Sequence, residues 1–452
     1  MERRPRVLIV GGGFAGVECA RGLERTLGSA DAEVFLVTPL SYELYLPLLP
    51  HVAAGVVTPQ SIAPSLRRIL RRTHIVPGGV VGIDPKSRVC AVRLITGEMT
   101  DLTYDHLVLT PGSITRTFDI PGLTEYARGM KTLAEATYLR DHVISQLDIA
   151  AASSDRAEQE ARLTFVVVGG GYAGTETVAY LQRLTDAATE RYPRLDPGLV
   201  RWHLIDIAPK LMPELGDRLG SVALDLMRRR GTEVSLGVSV AEVTREAVTF
   251  TDGRMVPSRT LIWTAGVAAS PLIATLGAET VKGRLAVDTD LTVPGLPGVM
   301  ACGDAAAVPD LAGEPGTICP PTAQHAARQG KQAARNVLAA LRQQPLTPYR
   351  HKDLGLVVDL GGRDAVSKPL GWEVTGLPAQ VVARGYHLMA LPTGVARFRT
   401  AVNWGINAIA GDDFVRTGFQ ATRTATLRDF ERTDVYLGPE EVRERVAAGR
   451  AA

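Results

Sequence analysis

Gly11, Gly13 and Gly16 stand at the G-x-G-x-x-G spacing straight after the apolar run Val7-Leu8-Ile9-Val10. Gly169, Gly171 and Gly174 repeat the device after Phe165-Val166-Val167-Val168. In such a turn the first glycine permits a tight bend and the second lets backbone approach a pyrophosphate. The third lets the following helix lie close on the sheet. Helices opening at Phe14-Ala15 and at Tyr172-Ala173 would aim unpaired N–H groups and a positive dipole end at the phosphates. One such spacing is weak, because glycine-rich turns are common. Two in one chain, read in full as Gly-Gly-Gly-Phe-Ala-Gly-Val-Glu and Gly-Gly-Gly-Tyr-Ala-Gly-Thr-Glu, point to two dinucleotides that meet. That is the logic of a flavin enzyme reduced by a nicotinamide.

The elements that must position this chemistry follow in order. A strand over residues 33–37 ends at Thr38, where a ribose hydroxyl is usually held by an acid. The corresponding acid of the second unit is Asp206, delayed by an insertion over residues 185–198. An acid there accepts from the ribose 2′-hydroxyl and repels a 2′-phosphate, so NADH is preferred over NADPH, with Lys210 near enough to soften the preference. Tyr104-Asp-His-Leu-Val-Leu-Thr-Pro111-Gly112 is a strand closing in a glycine turn beside a nucleotide. Thr260-Leu-Ile-Trp-Thr-Ala265-Gly266 mirrors it, so the internal repeat reaches beyond the fingerprints. Val299-Met-Ala-Cys-Gly303-Asp304 ends another strand with a carboxylate able to accept from the ribityl chain of a flavin. A helix then opens after Pro320-Pro321-Thr322 with Ala323 and Gln324 in its first turn. Gln324 and Arg328 share one face of it, and His325 and Gln329 the adjacent face. Residues 41–49, aromatic and leucine-rich, are expected to form a site wall.

With 452 residues the chain can build two or three cores. Fifty basic residues against 48 acidic ones carry no nucleic-acid signature. Cys19, Cys90, Cys302 and Cys319 are scattered, which argues against a disulfide framework, a zinc site or a dithiol and fits a reducing cytosol. No leader is expected ahead of the first strand, and no apolar run is long enough to span a membrane. Short strands are expected over 76–94 and helices over 122–161, with a surface loop at 153–160. A further helix is expected over 215–230. In residues 378–390, Val381, Val382, Leu388 and Met389 form an apolar helical face opposite Gln380, Arg384 and His387. Residues 395–410 repeat the pattern with Val395, Phe398, Val402 and Ile409 beside Arg397, Arg399 and Trp404. Two such helices read as a peripheral membrane anchor, with a dimer interface or a covering over the core as alternatives. The tail from Thr422 is expected to lie on the surface or to be mobile.

The fold class is therefore α/β: two Rossmann-like dinucleotide-binding domains plus a C-terminal α+β segment with amphipathic helices. The expected boundaries are 1–117 and 285–344 for a discontinuous FAD domain and 118–284 for an inserted NADH domain. Residues 345–452 form the membrane or dimer segment.

Taken together, these motifs resemble the type II NADH dehydrogenases, over the chain to about Gln420. More specific than the shared superfamily turns are Glu176 after the second fingerprint, Pro321-Thr-Ala-Gln324, Tyr386-His-Leu and Asn403-Trp404. The resemblance implies FAD on the first domain, NADH on the second and a quinone approaching near Gln324. A homodimer and a peripheral position on the inner face of the cell membrane are expected as well. Glu176 matches the family's glutamate near the flavin, implicated in quinone binding or proton delivery. Where the family reads Ala-Gln-x-Ala-x-Gln, this chain has Arg328 at the second glutamine and Gln329 one residue later. That step turns the amide by about 100° around the helix. Three other readings remain. One is a soluble NAD(P)H-dependent flavin reductase acting on a quinone-like metabolite. Another is a sulfide:quinone oxidoreductase, which would need a cysteine pair at the flavin. The last is a flavin-binding redox sensor.

Overall fold

The computed structural model describes residues 3–28, 31–352, 354–411, 413–417, 426–427 and 436–451. Val7 to Val10 are fully apolar and at most 3 % exposed, as a strand covered on both faces requires. Arg6–Val10 lies between Glu33–Thr38 and His106–Leu109, parallel to both. Val299–Ala301 adds to His106–Leu109, so a strand from much later in the chain completes the first parallel sheet. On the other side His74–Asp84 joins in parallel and then turns into an antiparallel ribbon with Val89–Leu94 and Met99–Thr103. Residues 76–94 thus hold most of one 11-residue strand and the whole of the 6-residue Val89–Leu94. The second sheet runs Thr232–Leu236, Arg201–Asp206, Thr164–Val168, Thr260–Trp263 and Ala127–Gly129, all parallel.

Each fingerprint bends at a left-handed glycine, Gly11 at φ 103° and Gly169 at φ 115°, and enters a helix, Phe14–Thr26 or Tyr172–Thr189. The third glycine touches the turn: a Cβ on Gly16 would overlap the Gly11 carbonyl, and one on Gly174 the Gly169 carbonyl. A threonine from the crossing strand braces each loop. Thr110 Oγ1 donates to the Val10 carbonyl at 2.7 Å, and Thr264 Oγ1 to the Val168 carbonyl at 2.7 Å. Just beyond these threonines, Ser113–Thr115 and Val267–Ala269 pair with each other as an antiparallel ribbon, which ties the two halves of the repeat together.

Several local expectations are corrected. Residues 153–160 are not a loop: Asp155 accepts from the Ala157 N–H and caps a helix, Arg156–Leu163. Ala127–Gly129 interrupts the helical stretch to serve as an edge strand. Part of the 185–198 insertion is simply the fingerprint helix running on to Thr189. The helix expected over 215–230 is Asp217–Arg229, preceded by a short 3-10 turn. Much of the tail from Thr422 lies outside the described residues, but Pro439–Ala451 is a helix that docks on the first domain. Its Val442 and Val446 bury against Val89, and the Leu437 N–H donates to the Val81 carbonyl at 2.8 Å.

The helix Gly376–Ala390 turns its polar face inward, an orientation that suits the anchor expectation and not a covering over an apolar core. Ala379, Gln380, Ala383 and His387 are buried, whereas Val381 is 66 % and Met389 71 % exposed. A buried polar cluster, described below, outweighs the hydrophobic preference of that helix. In Gly394–Ala410, Ala396, Thr400 and Trp404 point inward, leaving Phe398 71 % and Ile409 90 % exposed.

Gly16→Ala forces its methyl against a backbone carbonyl, so a stability loss of about 1–3 kcal/mol is expected. A Cβ on Gly13 meets nothing within 4 Å, and its φ of −85° suits any residue, so Gly13→Ala should cost less than about 0.5 kcal/mol. Chemical denaturation of both variants checks the contrast; equal losses would contradict the packing account.

Candidate active site

The two glycine loops leave the space a nucleotide needs. Gly13 and Gly171 each cap a helix with extended backbone and no side-chain hydrogen bond, and a Cβ on either would meet nothing within 4 Å. Phe14, Ala15, Tyr172 and Ala173 form the first turns behind them. Thr38, 3 % exposed, sits beneath Gly12 and its hydroxyl accepts from the Leu40 N–H at 3.3 Å. In the matching place, the Asp206 carboxylate accepts from the Gly170 N–H and from the Ala208 N–H, the latter at 2.7 Å. Lys210 is drawn off to Asp217 at 2.6 Å. Pro111-Gly112 and Ala265-Gly266 close the mirrored turns with φ 73° at Gly112 and 89° at Gly266. The Ser270 N–H donates to the Gly112 carbonyl at 3.0 Å.

The Ala323–Leu341 helix lies so close on the first fingerprint helix that a Cβ on Gly330 would overlap the Ala15 carbonyl. That contact brings its first turns to the Gly303-Asp304 turn. Thr322 caps it through the His325 N–H at 3.3 Å. Gln329 Oε1 accepts from the Gly303 N–H at 2.7 Å, so the displaced amide braces the turn from within. The Asp304 carboxylate accepts from Ser113 Oγ at 2.6 Å, and Lys131 donates to that same hydroxyl at 2.9 Å. Neither Ser113 nor Lys131 was legible as a site residue: Ser113 arrives on the ribbon and Lys131 from just past the Ala127–Gly129 strand. Gln324 donates to the Gly355 carbonyl at 2.9 Å while its Oε1 is buried with no partner among the described residues, an acceptor available to a bound group. Arg328 turns outward, donating to the Lys352 carbonyl and lying 3.2 Å from the His351 ring. His351 in turn stacks on His325 with ring centroids 3.8 Å apart.

Glu176, on the second turn of its helix, is 8 % exposed and accepts from the Asp359 N–H at 2.9 Å. Burial pushes its carboxyl well above the usual range; the Asp359 N–H opposes that rise and the Asp359 charge adds to it. Asp359 itself is fully buried, which taken alone would raise it. The His51 ring, the Gln380 amide and the Gly361 N–H outweigh burial and bring it below the ordinary value. Around it His51 is pushed down to about 3 and His387 to about 4, in both cases by burial. Tyr45 from the 41–49 wall meets His387 Nδ1 at 3.0 Å and packs edge-on against Phe14 at 5.9 Å. Sequence reading placed Tyr45 only within an expected site wall and missed His51, Tyr180 and Asp359. The signal it had was Gln380, Arg384 and His387 on one helical face, to which it gave no site role. A separate groove of about 1280 Å³, lined by Tyr138, His142, Arg162 and Arg259 among others, holds none of the fingerprint glycines.

Residues 5–330 match the family model described as pyridine nucleotide-disulphide oxidoreductase. A type II NADH:quinone oxidoreductase of Mycobacterium tuberculosis is 31 % identical over 424 residues, covering 90 % of this chain and 89 % of that protein. The chain belongs to the type II NADH:quinone oxidoreductases. Members from Staphylococcus saprophyticus and Staphylococcus aureus are 26 % identical over 386 residues, covering 84 % of this chain and 93 % of each relative. Among solved structures, that of NDH2 from Plasmodium falciparum in complex with NADH superposes with a TM-score of 0.85. It covers 91 % of this chain and all of that one; at 18 % identity the shared property is the fold. The sulfide:quinone oxidoreductase of Aquifex aeolicus shares the layout more loosely, with a TM-score of 0.66 at 18 % identity, covering 90 % of this chain and 96 % of that one. In this type II member Cys302 and Cys319 are both buried and free, and burial holds their thiols up at about 12 and about 11. Thiols held that high do not supply a thiolate near neutral pH.

Glu43, in the wall loop, is 3 % exposed; burial and then the Glu18 charge raise its carboxyl to about 8, against the pull of Arg21. A folded-state value above the unfolded one means its contribution is full below about pH 4.5 and is lost as pH rises through about 8. Thermal midpoints should therefore fall across that window, and the fall should be shallower in Glu43→Gln. Parallel curves for the two proteins would exclude Glu43 as the cause.

Proposed function

We propose that this chain oxidises NADH and reduces a quinone through bound FAD, without pumping protons. The observation that carries the reading is the pair of open glycine cradles, Gly11–Gly16 and Gly169–Gly174, joined through the Ser113–Thr115 and Val267–Ala269 ribbon. The residues fit two dinucleotides: open space at Gly13 and Gly171, and an unpartnered acceptor on Gln324. Gly11, Gly13, Phe14, Ala15, Gly16, Thr38, Pro111, Gly112, Gly303, Asp304, Ala323 and Gln324 would hold FAD. Gly169, Gly171, Tyr172, Ala173, Gly174, Glu176, Asp206, Ala265 and Gly266 would hold NADH. FAD, when bound, supplies the chemistry that accepts a hydride and passes two electrons on.

The chain's own part is orientation, exclusion of water and proton supply. A hydride carries two electrons and one proton, and a quinol needs two of each, so one proton per turnover comes from the medium. Glu176, kept protonated by burial, is the group we assign to deliver it, with Gln324 and Arg328 flanking the acceptor. The competing soluble reductase has to account for a surface on which Val381, Met389, Phe398 and Ile409 all stand exposed. A peripheral position on the cytoplasmic membrane accounts for it by burying those side chains in lipid. Among the described residues no helix is long and apolar enough to cross a membrane. A homodimer belongs to the same reading and rests on the family resemblance.

In anaerobic stopped flow, NADH should bleach the flavin absorbance and a soluble quinone should restore it. Glu176→Gln should slow the second phase about 100-fold or more. Bleaching without restoration in the parent protein would remove the quinone from the reading. Separately, Val381→Asp with Phe398→Asp should abolish flotation with lipid vesicles while sparing soluble-quinone turnover. Unchanged flotation would favour the soluble reductase.

A further inference from the structure

Glu176 does not sit alone: it is one of two carboxyls in the same buried space, and the second is built in with unusual care. The Asp359 carboxylate receives the Gln380 amide at 2.9 Å on each oxygen and the Gly361 N–H at 2.8 Å. His51 Nε2 lies 3.6 Å and Arg384 Nε 3.7 Å from its Oδ2. The Trp404 indole N–H, which can only donate, points at His51 Nδ1 from 3.2 Å. The ring proton of His51 is therefore on Nε2, facing the carboxylate, and the imidazole is neutral. Among the described residues, Glu176 receives the Asp359 N–H as its one donor. Two carboxyls in one poorly solvated space do not both ionise, and the better-supplied one takes the charge. Titratable or charged groups facing the pair are Tyr45, His51, Tyr180, Arg384 and His387. Of these Arg384 is the one cation, and it shares its guanidinium with the Trp404 ring at 5.2 Å.

We propose that Asp359 is the positioning residue of the proton donor: its N–H fixes the Glu176 carboxyl, and its buried negative charge keeps the proton there until an acceptor docks. This rests on the reading of Glu176 as the donor. When Glu176 releases its proton to a reduced acceptor oxygen, an O–H bond breaks at the carboxyl and one forms on the acceptor. Two adjacent carboxylates are left behind, and their repulsion drives reprotonation from the medium. The same helix that presents Val381 and Met389 outward supplies Gln380 and Arg384 inward to Asp359, so the candidate lipid-facing surface and the groups that hold Asp359 share one element.

Asp359→Asn keeps the backbone N–H and the shape but removes the charge. In the purified flavoprotein, infrared spectroscopy follows the carbonyl stretch of the protonated Glu176, identified by its loss in Glu176→Gln. The pH at which that band disappears should fall by at least one unit in Asp359→Asn, a tenfold easier ionisation. The alkaline limb of flavin reoxidation by quinone should move the same way. Arg384→Gln, which strips a countercharge from Asp359, should move both to higher pH. Titrations of folded Asp359→Asn that superimpose on the parent overturn the proposal. Should that variant not fold, an unshifted Arg384→Gln overturns it. Normal reoxidation in Glu176→Gln would instead sink the donor reading, while the infrared titration would still report whether Asp359 governs Glu176.

Discussion

A carbonyl that leaves no room for a methyl group governs both halves of this molecule. Where the Gly16 and Gly174 backbones press on the carbonyls of Gly11 and Gly169, helix and strand approach as near as two main chains can. That approach aims each helix N-terminus past its turn into open space at Gly13 and Gly171. The threonine braces Thr110 and Thr264 hold the turns from the neighbouring strand, and the glycines after them start the ribbon that couples the two units. Close packing of Gly330 on the Ala15 carbonyl extends the same principle, setting the Gln324 helix against the first cradle. Small residues are therefore used where distance matters, and the polar groups are placed by what those residues allow.

The C-terminal segment works by the opposite device. Its helix Gly376–Ala390 turns polar side chains inward and apolar ones outward, which is unfavourable for a helix covering an apolar core. It is tolerated because Gln380 and Arg384 meet a buried carboxylate and His387 meets Tyr45. An unpaired charge on Asp359 would be far costlier than the exposed valine and methionine. The inversion and the buried cluster therefore explain each other. Covering the outward side chains with lipid would recover the remaining hydrophobic free energy.

The parts written into this sequence were those whose physics is local. Glycines at fixed spacing after apolar runs specified both strand-to-helix turns, and Thr322 behind two prolines specified the start of the Gln324 helix. The α/β class followed from the alternation of elements. The residues closing the second strand of each unit were legible too, and in the fold Thr38 lies under Gly12 while Asp206 accepts from the Gly170 N–H. Tertiary structure alone decided which face of Gly376–Ala390 is inside, since helical periodicity fixes an axis of amphipathicity and not its sign. Only in the fold does Glu176 find Asp359, 183 residues along the chain, with His51 and Trp404 behind it. Asp359 stands on a three-residue strand with no motif around it. A buried charge is recognisable only by the partners that surround it, and those come from segments that sequence spacing does not relate.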